Sequence, residues 1–172
     1  MKKNFYTVLI LLLVNINLSF SQERQTLTAE DLTLLVGVWE GSLTYRDYQT
    51  DEPYTLPAMI QISNTEDKHT LKVVTSFPNE PKANNTSTWI ISENGTKLNG
   101  EKVVSVKKLG DGGCEIITNE EGIDGNDNKP ALMKITYTIG KETFTNKKEV
   151  LFEGTKEWIE RNKFSATRST KQ

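Results

Sequence analysis

The chain has 172 residues and a formal net charge of −2, and it lacks any block of lysine and arginine interleaved with aromatic residues, so we expect no nucleic-acid partner. This length fits one domain that buries its own hydrophobic core. Cys114 is the only cysteine, which excludes a disulfide within the chain, and its expected role is that of a small strand residue.

Residues 1–21 have the pattern of a secretory signal peptide. Lys2 and Lys3 form a positive segment, an unbroken apolar run covers residues 8–14, and small residues then supply a cleavage site. The apolar run is too short for a membrane span. We therefore expect a domain over residues 22–172 that is secreted or periplasmic and has no transmembrane span.

Residues 28–36 predict a short amphipathic helix of about two turns. Thr28 is expected as its N-cap, and Asp31 stands at the capping-box position. Gly37 suits the first position after the helix.

From residue 38 onward the hydrophobic pattern has a period of two, which is typical of strands. The Asn94–Gly95 pair is the strongest signal for a two-residue hairpin; Asn99–Gly100 follows so closely that one of the two pairs is expected to form a bulge. Hairpins without a long crossover favour an all-β fold, a single antiparallel up-and-down β-barrel of eight to ten strands. A closed barrel leaves no exposed edge, and we expect a monomer. The predicted strands cover residues 38–48, 54–63, 69–77, 86–93, 101–109, 114–119, 131–139, 143–152 and 156–168.

In a closed meander the last strand lies antiparallel beside the first, which brings Trp39 next to Arg168. A guanidinium stacked on an indole is a favourable pair and would plug one end of the barrel. The Gly37-x-Trp39 motif after a short helix, Arg168 near the end of the chain, and the meander between them resemble the calycin superfamily, the lipocalins and their relatives. The chain is also similar to the small secreted lipocalin-like domains of Bacteroidetes.

The resemblance implies that Gly37, Trp39 and Arg168 close one end of the barrel and that the open end admits a small hydrophobic ligand. Ten-stranded relatives, the intracellular lipid-binding proteins and the haem-binding nitrobindin type, are a second resemblance. No cofactor is expected. His69, the only histidine, follows a polar turn and is predicted to be exposed, which argues against a haem or metal site.

Alternation from Trp39 predicts which side chains face a ligand. On the last strand the same rule sends Trp158 and Glu160 inward unless a bulge shifts the parity, so that Glu160 or Arg161 would carry a charge to the interior or the rim. Such a charge commonly fixes the polar head of an apolar ligand; the alternative is a surface strand with solvated charges. The candidate ligand-binding residues are Leu43, Tyr45, Asp47, Tyr137, Trp158, Glu160 and Arg161.

The loop over residues 124–128 carries oxygen ligands at alternate positions, as a calcium loop does. Lys129 stands where such a loop needs glycine and Ile135 where it needs glutamate, so we predict a polar hairpin loop and no metal.

Three functions fit this sequence. The first is a secreted, non-enzymatic binding protein for a small, mainly hydrophobic molecule with one polar head. The second is an enzyme with a tyrosine, Asp47, Glu160 or Arg161 as acid–base groups inside the barrel. One histidine and one cysteine supply no evident nucleophilic set. The third is a solidly packed barrel that acts through its loops as an extracellular interaction module.

Overall fold

The computed structural model describes residues 23–47 and 49–170, and the predicted signal peptide lies outside the described residues. Ten antiparallel strands form one nearly closed barrel, which confirms the predicted all-β, up-and-down fold. Within the described ranges, no helix is both long and apolar enough to cross a membrane.

The strands follow one another along the chain with short connections. They are β1 Gly37–Arg46, β2 Pro53–Asn64, β3 Thr70–Ser76, β4 Asn85–Ile90, β5 Lys97–Leu98, β6 Glu101–Lys108, β7 Cys114–Asp124, β8 Lys129–Ile139, β9 Thr143–Phe152 and β10 Ile159–Arg168. Two 3₁₀ helices, Ala29–Leu35 and Pro81–Ala83, complete the set.

The sheet runs in the order β4-β3-β2-β1-β10-β9-β8-β7-β6-β5, so the first and last strands lie side by side at its centre. Its two ends meet through a bridge between Ile91 and Leu98. Beside this bridge, the Asn99 N–H donates to the Ile90 carbonyl at 2.8 Å, and the Asn99 side chain accepts the Ile90 N–H at 2.8 Å. These contacts join the sheet into a barrel although β5 has only two residues.

The predicted N-terminal helix is present, and it is a 3₁₀ helix. It begins after Thr28, whose backbone N–H donates to the Asp31 carboxylate at 2.8 Å, the contact expected of a capping box. The helix buries Leu32 and Leu35 against the core. It therefore covers one end of the barrel, which we call the closed end.

Asp31 also ties this helix to its neighbours. Its side chain is 1% exposed and forms ion pairs with Arg24 and with Lys108, the latter at 2.7 Å. Burial would raise the pKa of Asp31, but hydrogen bonds from Lys108, Thr28 and Arg24 hold it below the usual value.

Both asparagine–glycine pairs lie in turns, so the bulge predicted at one of them is wrong. Asn99 and Gly100 have φ values of 56° and 91° and form the two-residue turn between β5 and β6. Gly95 lies in the turn that joins β4 to β5, where its N–H donates to the Ser92 carbonyl at 2.8 Å and its carbonyl accepts the Leu27 N–H at 2.8 Å. A Cβ at Gly95 would stand 2.3 Å from the Leu27 carbonyl oxygen, so this contact requires glycine.

Candidate binding site in the barrel

One row of paired residues shows which sheet face lines the barrel. Thr118 on β7 lies opposite Ile135, Ile135 opposite Lys148, and Lys148 opposite Asn162 on β10. Thr118 and Ile135 are buried, and paired residues point to the same side of a sheet. Lys148 and Asn162 therefore also face the interior. Both are only half-buried, which means that water reaches this level of the barrel.

The closed half of the interior is filled by aromatic rings. Phe144 lies at the centre, with its ring centroid 5.7 Å from Trp39, 5.8 Å from Phe164 and 6.2 Å from Trp89. Trp89 meets Tyr137 edge to face at 5.2 Å. We call these five residues the aromatic floor. They give the open half of the barrel an apolar base.

The closed end has the predicted pair at its centre. Trp39 is fully buried, lies opposite Arg168 in the β1–β10 register, and has the Arg168 guanidinium 4.3 Å from its ring centroid. The Trp39 indole N–H donates to the Leu35 carbonyl at 2.7 Å. Gly37 has a φ of 141°, and a Cβ there would stand 2.5 Å from the Arg168 Nη1. The Gly-x-Trp spacing thus leaves room for the guanidinium beside the indole.

A carboxyl group that sequence reasoning missed lies above the aromatic floor. Glu101 Oε2 accepts the Thr118 hydroxyl at 2.5 Å and lies 3.5 Å from the Tyr137 hydroxyl. Burial raises the pKa of the Glu101 carboxyl, and the Thr118 hydrogen bond opposes that shift. Burial also raises the pKa of Tyr137, so its phenol stays protonated and remains a donor.

At the open end one carboxylate stands between two cations. Asp124 Oδ2 lies 2.7 Å from Lys148 Nζ, and Asp124 Oδ1 lies 3.0 Å from Arg161 Nε. The Asp124 side chain is 3% exposed. Burial would raise its pKa, but the hydrogen bond and charge of Lys148, together with the charge of Arg161, hold the pKa of Asp124 below its usual value.

The same contacts show that the β7–β8 hairpin curls over the open end. Asp124 lies six residues beyond Thr118 on β7, about 20 Å along an extended strand. It nevertheless reaches Lys148, which belongs to the row of Thr118. A cleft of about 580 Å³ borders this contact at the rim, with Phe152 and Arg161 in its wall.

Three of the predicted ligand-binding residues face the interior as alternation requires, and a fourth, Asp47, lies just beyond the end of β1. Leu43 and Tyr45 share the inward face of β1 with Trp39 and are half-buried, and Tyr137 is buried inside. Asp47 follows β1 and caps its own turn: its Oδ1 accepts the backbone N–H groups of Gln49 and Thr50, each at 2.9 Å. That carboxylate is therefore engaged in the loop.

Trp158 and Glu160 do not face the interior, because β10 contains the bulge that was the stated exception to their inward placement. Glu160 lies opposite Glu149, the pairing then skips Arg161, and it resumes at Asn162. Glu160 is exposed on the outer face of the barrel. It therefore does not form the inward carboxylate pair with Asp47 that the enzyme hypothesis requires. Trp158 precedes β10, is 37% exposed, and packs under Lys134 Nζ at 4.3 Å from its ring centroid.

The bulge turns Arg161 toward the interior. Arg161 is 9% exposed and its Nε donates to Asp124 Oδ1. Its guanidinium carbon lies 5.5 Å from the centroid of the Phe152 ring. Two interior charges, Glu101 and Lys148, were not predicted. Glu101 stands two positions before the buried Val103, and Lys148 stands two before the buried Val150, so alternation on those strands contains the signal for both.

The remaining sequence candidates lie apart from this interior. His69 is at the β2–β3 turn at the closed end, 32% exposed, with Nδ1 3.8 Å from Asp67. The Cys114 thiol is buried and donates to the Asp31 carbonyl at 3.2 Å, and burial raises its pKa to about 11. Over residues 23–47 and 49–170, no group of three or more His, Cys, Asp or Glu side chains is arranged to hold a metal ion.

No protein-family model and no curated protein matches the chain. Among solved structures, it is similar to the crystal structure of Rv2717c from M. tuberculosis, with a TM-score of 0.47 and 13% sequence identity. The alignment covers 80% of this chain and 94% of that chain. Similarity at this level does not identify a ligand or an activity.

Proposed function

We propose that this protein is a lipocalin-like, non-enzymatic binding protein for a small, mainly apolar molecule that carries one anionic head group. The head group binds Arg161 and Lys148 at the open end, and the apolar part lies against the aromatic floor. We further propose that the signal-like sequence of residues 1–21 directs export, so that binding takes place in the periplasm or outside the cell.

The observation that carries the proposal is a pair of cations, Lys148 and Arg161, held side by side at the open end by one buried carboxylate, Asp124. Lys148 and Arg161 both approach Asp124, so two cations share one carboxylate at hydrogen-bonding distance. Charged side chains placed in a mostly apolar site commonly orient a ligand of opposite charge. A ligand carboxylate at this position would bind the two cations alongside Asp124.

The apolar part of the site supports the same ligand class. Trp89 and Leu43 are half-buried on the inner side of the barrel, and both pack against the buried core. Covering such surface is favourable by about 25 cal/mol per Å² of apolar area. The rings that fill the closed half limit the ligand to the open half, which suits a small molecule.

The experiment is a binding assay in two stages. Purified protein is first mixed with a bacterial lipid extract and analysed by native mass spectrometry. Dodecanoate is then titrated calorimetrically into the wild type, Lys148→Met and Lys163→Met. Lys163 is the matched control, because it is an exposed lysine on β10, opposite Lys147, outside the cluster.

We expect an anionic amphiphile in the mass spectrum, and at least a tenfold weaker binding of dodecanoate by Lys148→Met, with Lys163→Met within twofold of the wild type. Wild-type protein that retains no anionic amphiphile and does not bind dodecanoate would overturn the proposal. That result would favour the alternative function, an interaction module that acts through its loops.

A further inference from the structure

We propose that Glu101 forms a second polar subsite inside the barrel, which binds a hydroxyl group on the ligand. The ligand class is then a hydroxylated amphipathic carboxylate, with its acid at Arg161 and Lys148 and its hydroxyl at Glu101. This inference rests on the proposed function and adds the chemical group that the interior selects.

The two oxygen atoms of Glu101 differ in their surroundings. Oε2 accepts the Thr118 hydroxyl and lies within reach of the Tyr137 hydroxyl. Oε1 accepts no hydrogen bond from any part of the chain that the structure describes. Over the same residues, the fully buried side-chain oxygen and nitrogen atoms without a partner comprise Asn119 Oδ1 alone. Oε1 is therefore accessible, beside the buried Thr118 and Tyr137 of the interior.

The free acceptor atom of the Glu101 carboxylate, Oε1, requires a hydrogen-bond donor on the ligand. An ionised carboxylate only accepts hydrogen bonds, and the nearby hydroxyl protons of Thr118 and Tyr137 are directed to Oε2. A plain alkyl chain laid over Oε1 would exclude water and leave a charged oxygen unpaired. A ligand hydroxyl would replace that water with a hydrogen bond to a charged acceptor, which is the stronger kind.

The two subsites lie within reach of one small molecule. Thr118, which contacts Glu101, and Lys148 belong to the same row and are two strands apart, about 10 Å along the sheet. The positive charge of Lys148 also opposes the rise in the pKa of Glu101. A ligand with its acid at Lys148 would present a hydroxyl to Glu101 within roughly this distance of the head group.

If Glu101 served only to stabilise the fold, its negative charge would not be needed. Glutamine at position 101 would keep an oxygen acceptor for Thr118 and avoid the cost of burying a carboxylate, a cost seen in the raised pKa of Glu101. Glutamate differs from glutamine here in holding two acceptor oxygens and no donor.

The test compares dodecanoic acid with its 3-, 6-, 9- and 12-hydroxy derivatives by calorimetry at pH 8. The proteins are the wild type, Glu101→Met, Glu101→Gln and the control Glu121→Gln, which changes an exposed glutamate on β7. Far-UV circular dichroism checks that each variant is folded. In the wild type and the control, we expect at least one hydroxy acid to bind about tenfold more tightly than dodecanoic acid.

In Glu101→Met this preference should fall to within twofold, and dodecanoic acid should bind at least as tightly as to the wild type, because no charged oxygen is left unpaired under its chain. If Glu101→Met does not fold, Glu101→Gln decides, and its preference should fall at least threefold. If dodecanoic acid binds and no hydroxy acid is preferred, or if the preference survives in the deciding variant, the subsite is refuted and the proposed function stands. If none of the acids binds the wild type, the proposed function itself fails.

Discussion

Replacing Arg168 with methionine tests whether the closed end of the barrel holds the fold together. The Arg168 side chain donates from Nε to the Lys141 carbonyl at 2.7 Å, from Nη1 to the Val36 carbonyl at 2.9 Å, and from Nη2 to the Leu34 carbonyl. It also stacks on Trp39. Methionine keeps an unbranched, uncharged stem in place of the first part of the arginine side chain and removes all of these contacts.

The expected loss follows from the contacts. Hydrogen bonds from a charged donor contribute about 1.5–3 kcal/mol each when buried, and we take about 1 kcal/mol each here because water replaces part of the contact at this half-buried site. The stack on the indole adds about 1 kcal/mol. Arg168→Met should therefore lower the free energy of unfolding by about 4 kcal/mol. Arg168→Lys keeps the charge but loses the planar fork, and should lose about half as much.

Urea unfolding followed by tryptophan fluorescence measures the effect. With a denaturant slope of about 2 kcal/mol/M for a domain of this size, the midpoint of Arg168→Met should fall by about 2 M. Arg46→Met is the control, because Arg46 pairs with Asp51 at 3.0 Å on the surface, where such pairs contribute less than about 1 kcal/mol. If Arg168→Met shifts the midpoint no further than Arg46→Met, the closed end does not stabilise the barrel as reasoned.

Asp124→Asn should lower the free energy of unfolding by about 3 kcal/mol in thermal melts, because Lys148 and Arg161 lose a buried carboxylate; an unchanged melting temperature would contradict this. Because the pKa of Asp124 is lowered, its ionised form adds stability that is fully present above the ordinary pKa of 3.8 and is lost as the pH falls through the shifted pKa. The thermal midpoint of the wild type should therefore decrease as the pH is lowered below 3.8, and that of Asp124→Asn should decrease less. The pKa shift of Glu101 has the opposite effect on stability: because its pKa is raised, the ionised form destabilises the fold above the ordinary pKa of 4.5. Glu101→Gln should therefore have a higher melting temperature than the wild type at pH 7, and a lower melting temperature would refute that reasoning. Gly41→Ala should lower the urea midpoint, because its Cβ would stand 2.0 Å from the Ser165 carbonyl oxygen in the β1–β10 pair; an unchanged midpoint would show that the strands separate without cost.

The sequence predicted the closed end of the barrel better than the open end. Trp39 and Arg168 could be paired from the sequence because, in a closed antiparallel meander, the first strand pairs with the second on one side and with the last on the other. The inward side chains of β1 then follow by strict alternation, as Leu43 and Tyr45 illustrate.

The open end depends on a bulge that alternation cannot detect. One extra residue at Arg161 reverses the parity of β10, which sends Glu160 outward and brings Arg161 to Asp124. The two asparagine–glycine pairs show a similar limit, since both suit a tight turn. Both pairs form turns because the two-residue β5 is long enough to separate them, which the close spacing of the pairs in the sequence does not show.

The central position of the β1–β10 pair has a consequence for how the chain folds. Arg168 binds the Val36 carbonyl 132 positions earlier, so the middle of the sheet is joined by contacts between opposite ends of the sequence. Sheets with such distant pairings fold slowly, in milliseconds to seconds. Until β10 is available, β1 and β9 each present an unpaired edge, the kind of surface on which chains associate. The final ten-residue strand therefore determines when the barrel can close.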